Sequence, residues 1–336
     1  MKKMKVLFYG FRHYHIYTLY EMFKPKDYVE IVACIEEDDA ARERAVEKLG
    51  IQFSSMSYED ALKEDIDVVA IGGRYGVRGE AIIKALKAGK HIIADKPVCT
   101  SLEELDEIEK LAFEKGLKVG CMYDLRYIAP AVAAKKLLES GKMGEVYNVA
   151  FDGQHCIDYE NRPAWYFEEN MHGGTINDLS IHGIDLVSQL TNLEIESVDS
   201  ARVWNKFAYK NPDFKDCAYI MARFKGGASL IADASYAAPS QVFSMPTYWN
   251  FKFWCKNGLI NFNCANKDVT VYENGKTEPT IIPGETSKTD LCDDFFAEIT
   301  NDTTTFTTSV IKATRTALKL QKIADTYDNS ISLKTL

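Results

Sequence analysis

The residues best suited to chemistry lie in a stretch almost without charge. Between Gly173 and Thr191 there is no Lys, Arg or Glu, in a chain of 336 residues that is 26% charged. Such a stretch predicts a buried helix. Within it Asp178, His182, Asp185 and Gln189 recur at i, i+4, i+7 and i+11, on one helical face, with Ile176, Leu179, Leu186 and Leu190 around them. Burying a carboxylate or an imidazole costs several kcal/mol unless it is paired. A histidine one turn from a carboxylate is the usual form of a tuned general base. The same spacing also fits a structural Asp–His hydrogen bond.

Lys96 follows the apolar run His91 to Ala94 and stands between Asp95 and Pro97. A lysine fixed at a strand end by a following proline is a candidate active-site cation, and its plain alternative is a surface loop residue. Gly10, Phe11, Arg12 and His13 occupy the place where a dinucleotide-binding chain carries Gly-x-Gly-x-x-Gly, of which only the first glycine is kept. Gly10 still allows the tight turn, the next helix start can receive a pyrophosphate, and Arg12 can replace close backbone approach by charge. His13 and His15 have no acidic partner nearby in sequence, so they read as polar groups at a helix start, and no metal is expected. Glu36 lies 26 residues after Gly10, where an acidic side chain binds ribose hydroxyls and repels a 2′-phosphate. Three more acids and no arginine adjoin it, so NAD is favoured over NADP. His155, Trp165 and Tyr166 precede the central helix, placed either to wall a polar ligand or to pack as aromatic core.

The elements that must position these groups alternate. Strands read over Lys5 to Tyr9, Val29 to Ile35, Asp67 to Ile71, His91 to Ala94 and Leu117 to Cys121, with helices between them. Asp38 caps one helix that Gly50 stops, Ser57 opens a short one, and Ser101 with Glu104 forms a capping box for another that Gly116 ends. This β-α alternation predicts an α/β fold with a doubly wound parallel sheet whose ligand lies beyond the carboxyl ends of its strands. Gly10, Glu36, Gly72, Gly73, Lys96 and Tyr123 all fall just past a strand end. After Tyr123 the pattern becomes α+β. A helix is expected over Tyr127 to Ser140 and a strand near Val146 to Phe151, followed by the central helix. Strands then follow over Ile195 to Trp204, Cys217 to Phe224, Ala228 to Tyr236, Phe251 to Cys255, Leu259 to Asn263 and Val269 to Tyr272. Gly226-Gly227 and Asn257-Gly258 are the expected hairpin turns, and two amphipathic helices close the chain.

Length favours two domains. A net charge of −9 and a pI near 5.3 argue against nucleic acid or an anionic membrane as partner. No window reaches transmembrane length. Eight cysteines without a Cys-x-x-Cys pair, and no signal-peptide core at the start, predict a reduced cytoplasmic protein without a zinc site.

Three segments carry a resemblance over almost the whole chain: Ala88 to Val98 (AGKHIIADKPV), Ser140 to Val146 (SGKMGEV) and Gly173 to Leu186 (GGTINDLSIHGIDL). In these the chain resembles the Gfo/Idh/MocA oxidoreductases. The resemblance implies a Rossmann dinucleotide-binding domain over residues 1–123. A C-terminal α+β domain with a large, mainly antiparallel open sheet follows over 124–336 and would bind substrate and oligomerise, with room for the last helices to pack on the first domain. It implies hydride transfer between a nicotinamide cofactor and a sugar, polyol or related hydroxy compound, in a homodimer or homotetramer. Lys96 matches the lysine of the family's Glu-Lys-Pro, and Asp178 and His182 match its Asp-x-x-x-His pair, which supports proton transfer. The implied cofactor set is Gly10, Phe11, Arg12, His13, Glu36, Gly72, Gly73, Arg74, Asp95, Lys96 and Tyr123, and the implied substrate set is Lys96, Tyr123, Arg126, His155, Trp165, Asp178 and His182. The chain departs from the pattern at Asp95 for Glu and at Gly73 to Arg78 for Thr-Pro-Asn-x-x-His. It also carries Asp124-Leu125-Arg126-Tyr127 for an Asn-Arg-Arg-Phe-like segment, keeping one arginine. Two other readings stay open: a non-catalytic nucleotide- or sugar-binding regulator, and a lyase or glycosidase using bound NAD transiently.

Overall fold

A computed structural model describes residues 3–239 and 244–327 and divides the chain into two compact units. The first comprises Met1–Tyr123 together with Pro163–Gly173 and Thr289–Arg315. Its elements run β1 Met4–Tyr9, α1 His15–Phe23, β2 Val29–Ile35, α2 Asp39–Leu49, α3 Tyr58–Ala61, β3 Val68–Ile71, α4 Tyr75–Lys87, β4 His91–Ala94, α5 Leu102–Lys115 and β5 Val119–Cys121. The helix limits follow from local chemistry. Asp38 accepts from Ala41 N–H at 2.8 Å at the start of α2, and Gly50 ends it in the left-handed region at φ 65°. Ser101 accepts from Glu104 N–H at 3.1 Å to open α5, and the Glu104 carboxylate accepts from Thr100 N–H, one residue before the cap. The five strands are parallel in the order β2-β1-β3-β4-β5. Every residue of β3 is buried, as expected of a parallel strand covered on both faces. The order reverses direction between β1 and β3, so the ligand crevice of such a sheet opens where these two strands end.

The second unit comprises Asp124–Arg162, Gly174–Lys288 and Thr316–Leu336. A 3-10 turn, Asp124–Tyr127, leads into α6 Ala129–Glu139 and β6 Val146–Gln154. A π-helical turn, Ile176–Ser180, leads into α7 Ile181–Thr191. Then come β7 Ile195–Trp204, β8 Cys217–Phe224, β9 Ser229–Ser235, β10 Asn250–Cys255, β11 Gly258–Asn263, β12 Val269–Glu273 and β13 Thr280–Ile282. The eight strands form one sheet in the order β13-β12-β11-β10-β6-β9-β8-β7, antiparallel except for β6 with β9. One face is a core of Val149, Phe151, Phe251, Phe253, Ile260 and Phe262, on which α7 is seated. Gly183 permits that seating, because a Cβ there would lie 2.4 Å from the Phe151 ring. Two closing helices follow, α8 Leu291–Asn301 in the first unit and α9 Thr305–Thr326, whose residues divide between the two.

Three local expectations are corrected. The central segment is not α-helical throughout, because its first turn is π-helical, with Ile181 N–H donating to Ile176 O five residues back, while Ile176 N–H donates to the Gln321 side chain at 2.9 Å. The β10–β11 hairpin turns at Lys256-Asn257, and Gly258 is already the first residue of β11. β13 is a short strand between Pro279 and Pro283 that the sequence pattern does not announce.

Candidate functional site

In the first unit the loops after β1 and β3 touch. Gly10 has φ +80°, and a Cβ on it would fall 2.6 Å from Gly73 N, so the glycine is required both for its backbone angle and for the close approach. Beside them a cavity of about 230 Å³ is lined by Gly10, Arg12, Glu36, Tyr58, Gly73 and Arg74, among others. Glu36, at the end of β2, is only 4% exposed and accepts from Phe11 N–H at 2.5 Å, Arg12 Nε at 2.7 Å and Asp38 N–H at 2.8 Å. Sequence offers Glu36 no adjacent arginine, but folding supplies Arg12. A glycine turn at the strand end, an acid at the end of β2 and an open cavity between them fit the ribose and phosphate end of a dinucleotide.

A second cluster forms at the ends of β3 and β4. Asp95 is fully buried, with His13 Nδ1 at 2.6 Å from Oδ2 and His15 Nδ1 at 3.3 Å from Oδ1. The acidic partner missing from the sequence neighbourhood of these histidines thus arrives from 82 residues away in the case of His13. Burial lowers the His13 imidazole to about 4, although Asp95 pulls the other way. Burial would lift the Asp95 carboxyl, but His13 and Arg78 hold it well below the usual carboxylate range. Arg78, which has no exposed surface, donates to Gly73 O at 2.7 Å, Asp95 O at 2.8 Å and Pro97 O at 2.7 Å, and its Nη2 lies 3.5 Å from the Asp95 carboxylate. His13, His15 and Asp95 present three donor atoms within 4.8 Å of one another. The Arg78 guanidinium also meets the Asp95 carboxylate, at 3.5 Å.

Arg78 therefore clamps the backbone on both sides of Lys96. Lys96 is 3% exposed, with its ammonium 5.9 Å from the centre of the Tyr75 ring. Tyr75 also packs edge-on against Trp165, at 5.0 Å between ring centres, and against Tyr166 at 5.7 Å. Trp165 and Tyr166 lie in the first unit and His155 in the second, so the three aromatics grouped by sequence are divided. His155 packs against Tyr248 and Trp249. Tyr123 is 1% exposed and its hydroxyl is 2.9 Å from Thr314 Oγ1, while Arg74 reaches Glu168 at 3.4 Å.

In the second unit Asp178 is fully buried and accepts a hydrogen bond from the Tyr236 hydroxyl. His182 is 4% exposed, edge-on to Trp249 at 5.5 Å, with Nδ1 3.7 Å from Asp124 Oδ1. Arg126 forms a two-pronged bond with Asp185, Nε to Oδ2 at 2.7 Å and Nη2 to Oδ1 at 2.5 Å. Burial raises the Asp185 carboxyl, with Arg126 opposing. The buried face of α7 is thus furnished with partners from elsewhere in the chain. Tyr75, Arg78, Asp124, Tyr236 and Trp249 escape sequence reasoning, except that Tyr75, Arg78 and Asp124 fall in the two segments that depart from the family pattern.

Residues 5–123 match a family model described as an oxidoreductase family with an NAD-binding Rossmann fold, and residues 131–260 match the GFO/IDH/MocA C-terminal domain. The chain belongs to the GFO/IDH/MocA oxidoreductase family. A relative, scyllo-inositol 2-dehydrogenase (NAD(+)) of Bacillus subtilis, is 32% identical over 207 residues, 60% of this chain and 57% of that protein. Levoglucosan dehydrogenase of Pseudarthrobacter phenanthrenivorans is 28% identical over 250 residues, 67% of this chain and 62% of that protein. The matched stretches thus span about three fifths of these two curated relatives. A solved structure, levoglucosan dehydrogenase in complex with NADH and levoglucosan, superposes with a TM-score of 0.80 at 20% identity, covering 96% of this chain and 98% of that one. At that identity the likeness is one of fold: a five-stranded parallel sheet and a large, mostly antiparallel eight-stranded sheet. Among the described residues no helix is long and apolar enough to cross a membrane.

Proposed function

We propose that this protein is an NAD-dependent dehydrogenase or reductase acting on a sugar, polyol or related hydroxy compound. What supports the reading is the presence of a nucleotide crevice at Gly10, Glu36 and Gly73 in the first unit and, in the second, a helix α7 region with buried Asp178 and His182. Bound NAD supplies the hydride acceptor or donor. For the chain's own residues the proposed roles are proton exchange with the substrate hydroxyl by His182, support of that imidazole by Asp178, and stabilisation of developing oxyanion charge by Lys96. Native mass spectrometry of the purified chain identifies any retained nicotinamide cofactor, and NADH formation is then followed over a panel of inositols, aldoses and anhydrosugars. Binding of neither NAD(H) nor NADP(H) would overturn the proposal. Product without net NADH would transfer the assignment to a lyase or glycosidase.

NAD is the expected cofactor. In this reading the Glu36 carboxylate would repel a 2′-phosphate, and Glu36 also engages Arg12 in an ion pair. Glu36→Ala removes the repulsion and releases Arg12 together, so calorimetry is expected to show the preference for NAD over NADP narrowing, chiefly by a gain for NADP. An unchanged ratio would remove Glu36 from cofactor selection.

The assembly we propose is a homodimer or homotetramer built on the open face of the eight-stranded sheet. Side chains there alternate with the buried row. Tyr272, Leu259 and Trp254 stand side by side on β12, β11 and β10, and Ile231 and Met221 pair on β9 and β8. Trp254, Tyr272, Ile231 and Met221 are each about half exposed, a cross-strand apolar set that a second copy would cover. Sedimentation is expected to give a dimer or larger, and Trp254→Asp to shift it toward monomer. A wild-type monomer at micromolar concentration would reject the assembly. The cytoplasm is the proposed compartment, on the free, mostly buried cysteines.

A further inference from the structure

We propose that Asp124 is a positioning residue for His182: its carboxylate keeps the imidazole proton on Nδ1 and leaves Nε2 as the atom that exchanges a proton with the substrate hydroxyl. The inference rests on the dehydrogenase reading above and assigns that site a residue outside the Asp-x-x-x-His pair. It also gives a role to one of the positions at which this chain departs from its family, where an asparagine would be expected.

The two groups are close by construction. Asp124 Oδ1 lies 3.7 Å from His182 Nδ1, with the histidine side chain 4% and the aspartate 49% exposed. The 3-10 turn that carries Asp124 also carries Arg126, and the two-pronged Arg126–Asp185 bond ties that turn to α7, the helix that carries His182 one turn earlier. Donor and acceptor backbones are therefore fixed against each other, while the half-exposed Asp124 side chain keeps the rotamer freedom to close on the ring. Trp249, edge-on to the imidazole at 5.5 Å, crowds the ring and limits its rotation.

The charges around the ring divide the labour. Arg126 and Asp185 neutralise one another. Asp178, on the preceding turn, accepts from the Tyr236 hydroxyl. His155 stands across Trp249. Cys264 is pushed up to about 12 by burial and by the charge of Asp124, so it stays a thiol. Asp124 thus brings a carboxylate, open to water, to the Nδ1 side of a buried imidazole. In the oxidative direction the substrate hydroxyl proton would pass to Nε2, with bound NAD supplying the hydride acceptor. The imidazolium that results keeps its Nδ1 proton facing Asp124, whose charge stabilises it. Reduction runs the same transfers backward.

The test uses the full chain and Asp124→Asn, with Asp124→Glu as the conservative variant. The imidazole titration of His182 is read by NMR without substrate or cofactor, its signal among the six histidines assigned by loss in His182→Gln. Asp124→Asn is expected to lower the His182 pKa by about one pH unit, since an opposite charge at this range shifts a titration by that much or more. Asp124→Glu is expected to return it toward wild type. With any polyol the protein turns over, the lower limb of the kcat profile should move to lower pH by the same amount, because the neutral base then persists to lower pH, and cofactor affinity should hold. An unchanged His182 titration in folded Asp124→Asn overturns the proposal, and Asp124→Ser gives the same readout should the asparagine variant fold poorly. Failure to oxidise any polyol would sink the dehydrogenase reading while leaving the titration to decide the role of Asp124.

Discussion

His182→Ala is expected to lower turnover by about 10²- to 10⁴-fold, the usual worth of general acid–base catalysis, with cofactor affinity almost unchanged. The imidazole is buried on α7 and flanked by Trp249 and Asp124, so removing it leaves a small cavity and no group to exchange the hydroxyl proton. Asp178→Asn should also lower turnover while keeping the fold, because the amide fills the same space beside the Tyr236 hydroxyl but cannot support an imidazolium. A purely structural pair behaves differently. In that case both variants would lose about 1–3 kcal/mol of stability and keep most activity per folded molecule. Thermal melts and single-turnover rates on the same preparations separate these outcomes, and full activity in well-folded His182→Ala would end the catalytic assignment.

The largest effect on stability is expected at Arg78. Its guanidinium, without exposed surface, satisfies the carbonyls of Gly73, Asp95 and Pro97 and faces the buried Asp95 carboxylate. Arg78→Ala would strand three acceptors and leave a buried charge short of its partner, a loss of about 3–5 kcal/mol. Arg78→Lys should fall between, since one ammonium cannot reach all the acceptors of a planar fork. Urea unfolding of the three proteins measures this, and an alanine variant within about 1 kcal/mol of wild type would show that the clamp is dispensable. Because the clamp holds the backbone on both sides of Lys96, any folded Arg78→Lys protein is also expected to lose activity by more than it loses cofactor affinity.

Much of the architecture is legible in local sequence. Val29–Ile35, His91–Ala94, Ile195–Trp204 and Cys217–Phe224 are strands at the limits that periodicity and flanking residues suggest. The limits of α2 and α5 follow from Asp38, Gly50, Ser101 and Gly116, each acting on backbone groups within four residues of itself. The π turn at Ile176–Ser180 is not legible, because over a single turn α and π helices share the same apolar spacing. The N–H at its start, Ile176, meets a partner no local pattern names, Gln321, 145 residues away. The strand Thr280–Ile282 escapes for a related reason, since three residues carry too little pattern and its pairing is supplied by β12.

By itself the sequence determined what contiguous residues control: the alternation that makes a parallel sheet, the change to an antiparallel one after Tyr123, the caps, and a helix whose only ionisable groups are Asp178, His182 and Asp185. Tertiary structure decided which charge meets which. Glu36 acquires Arg12, Asp95 acquires His13, His15 and Arg78, Asp185 acquires Arg126, and Asp124 comes beside His182. These partners are separated in sequence by as few as 17 and as many as 82 residues. Local propensity sets where a backbone turns, but the direction and burial of a charged side chain are fixed only when distant elements pack, and its partner is whichever group that packing leaves within reach.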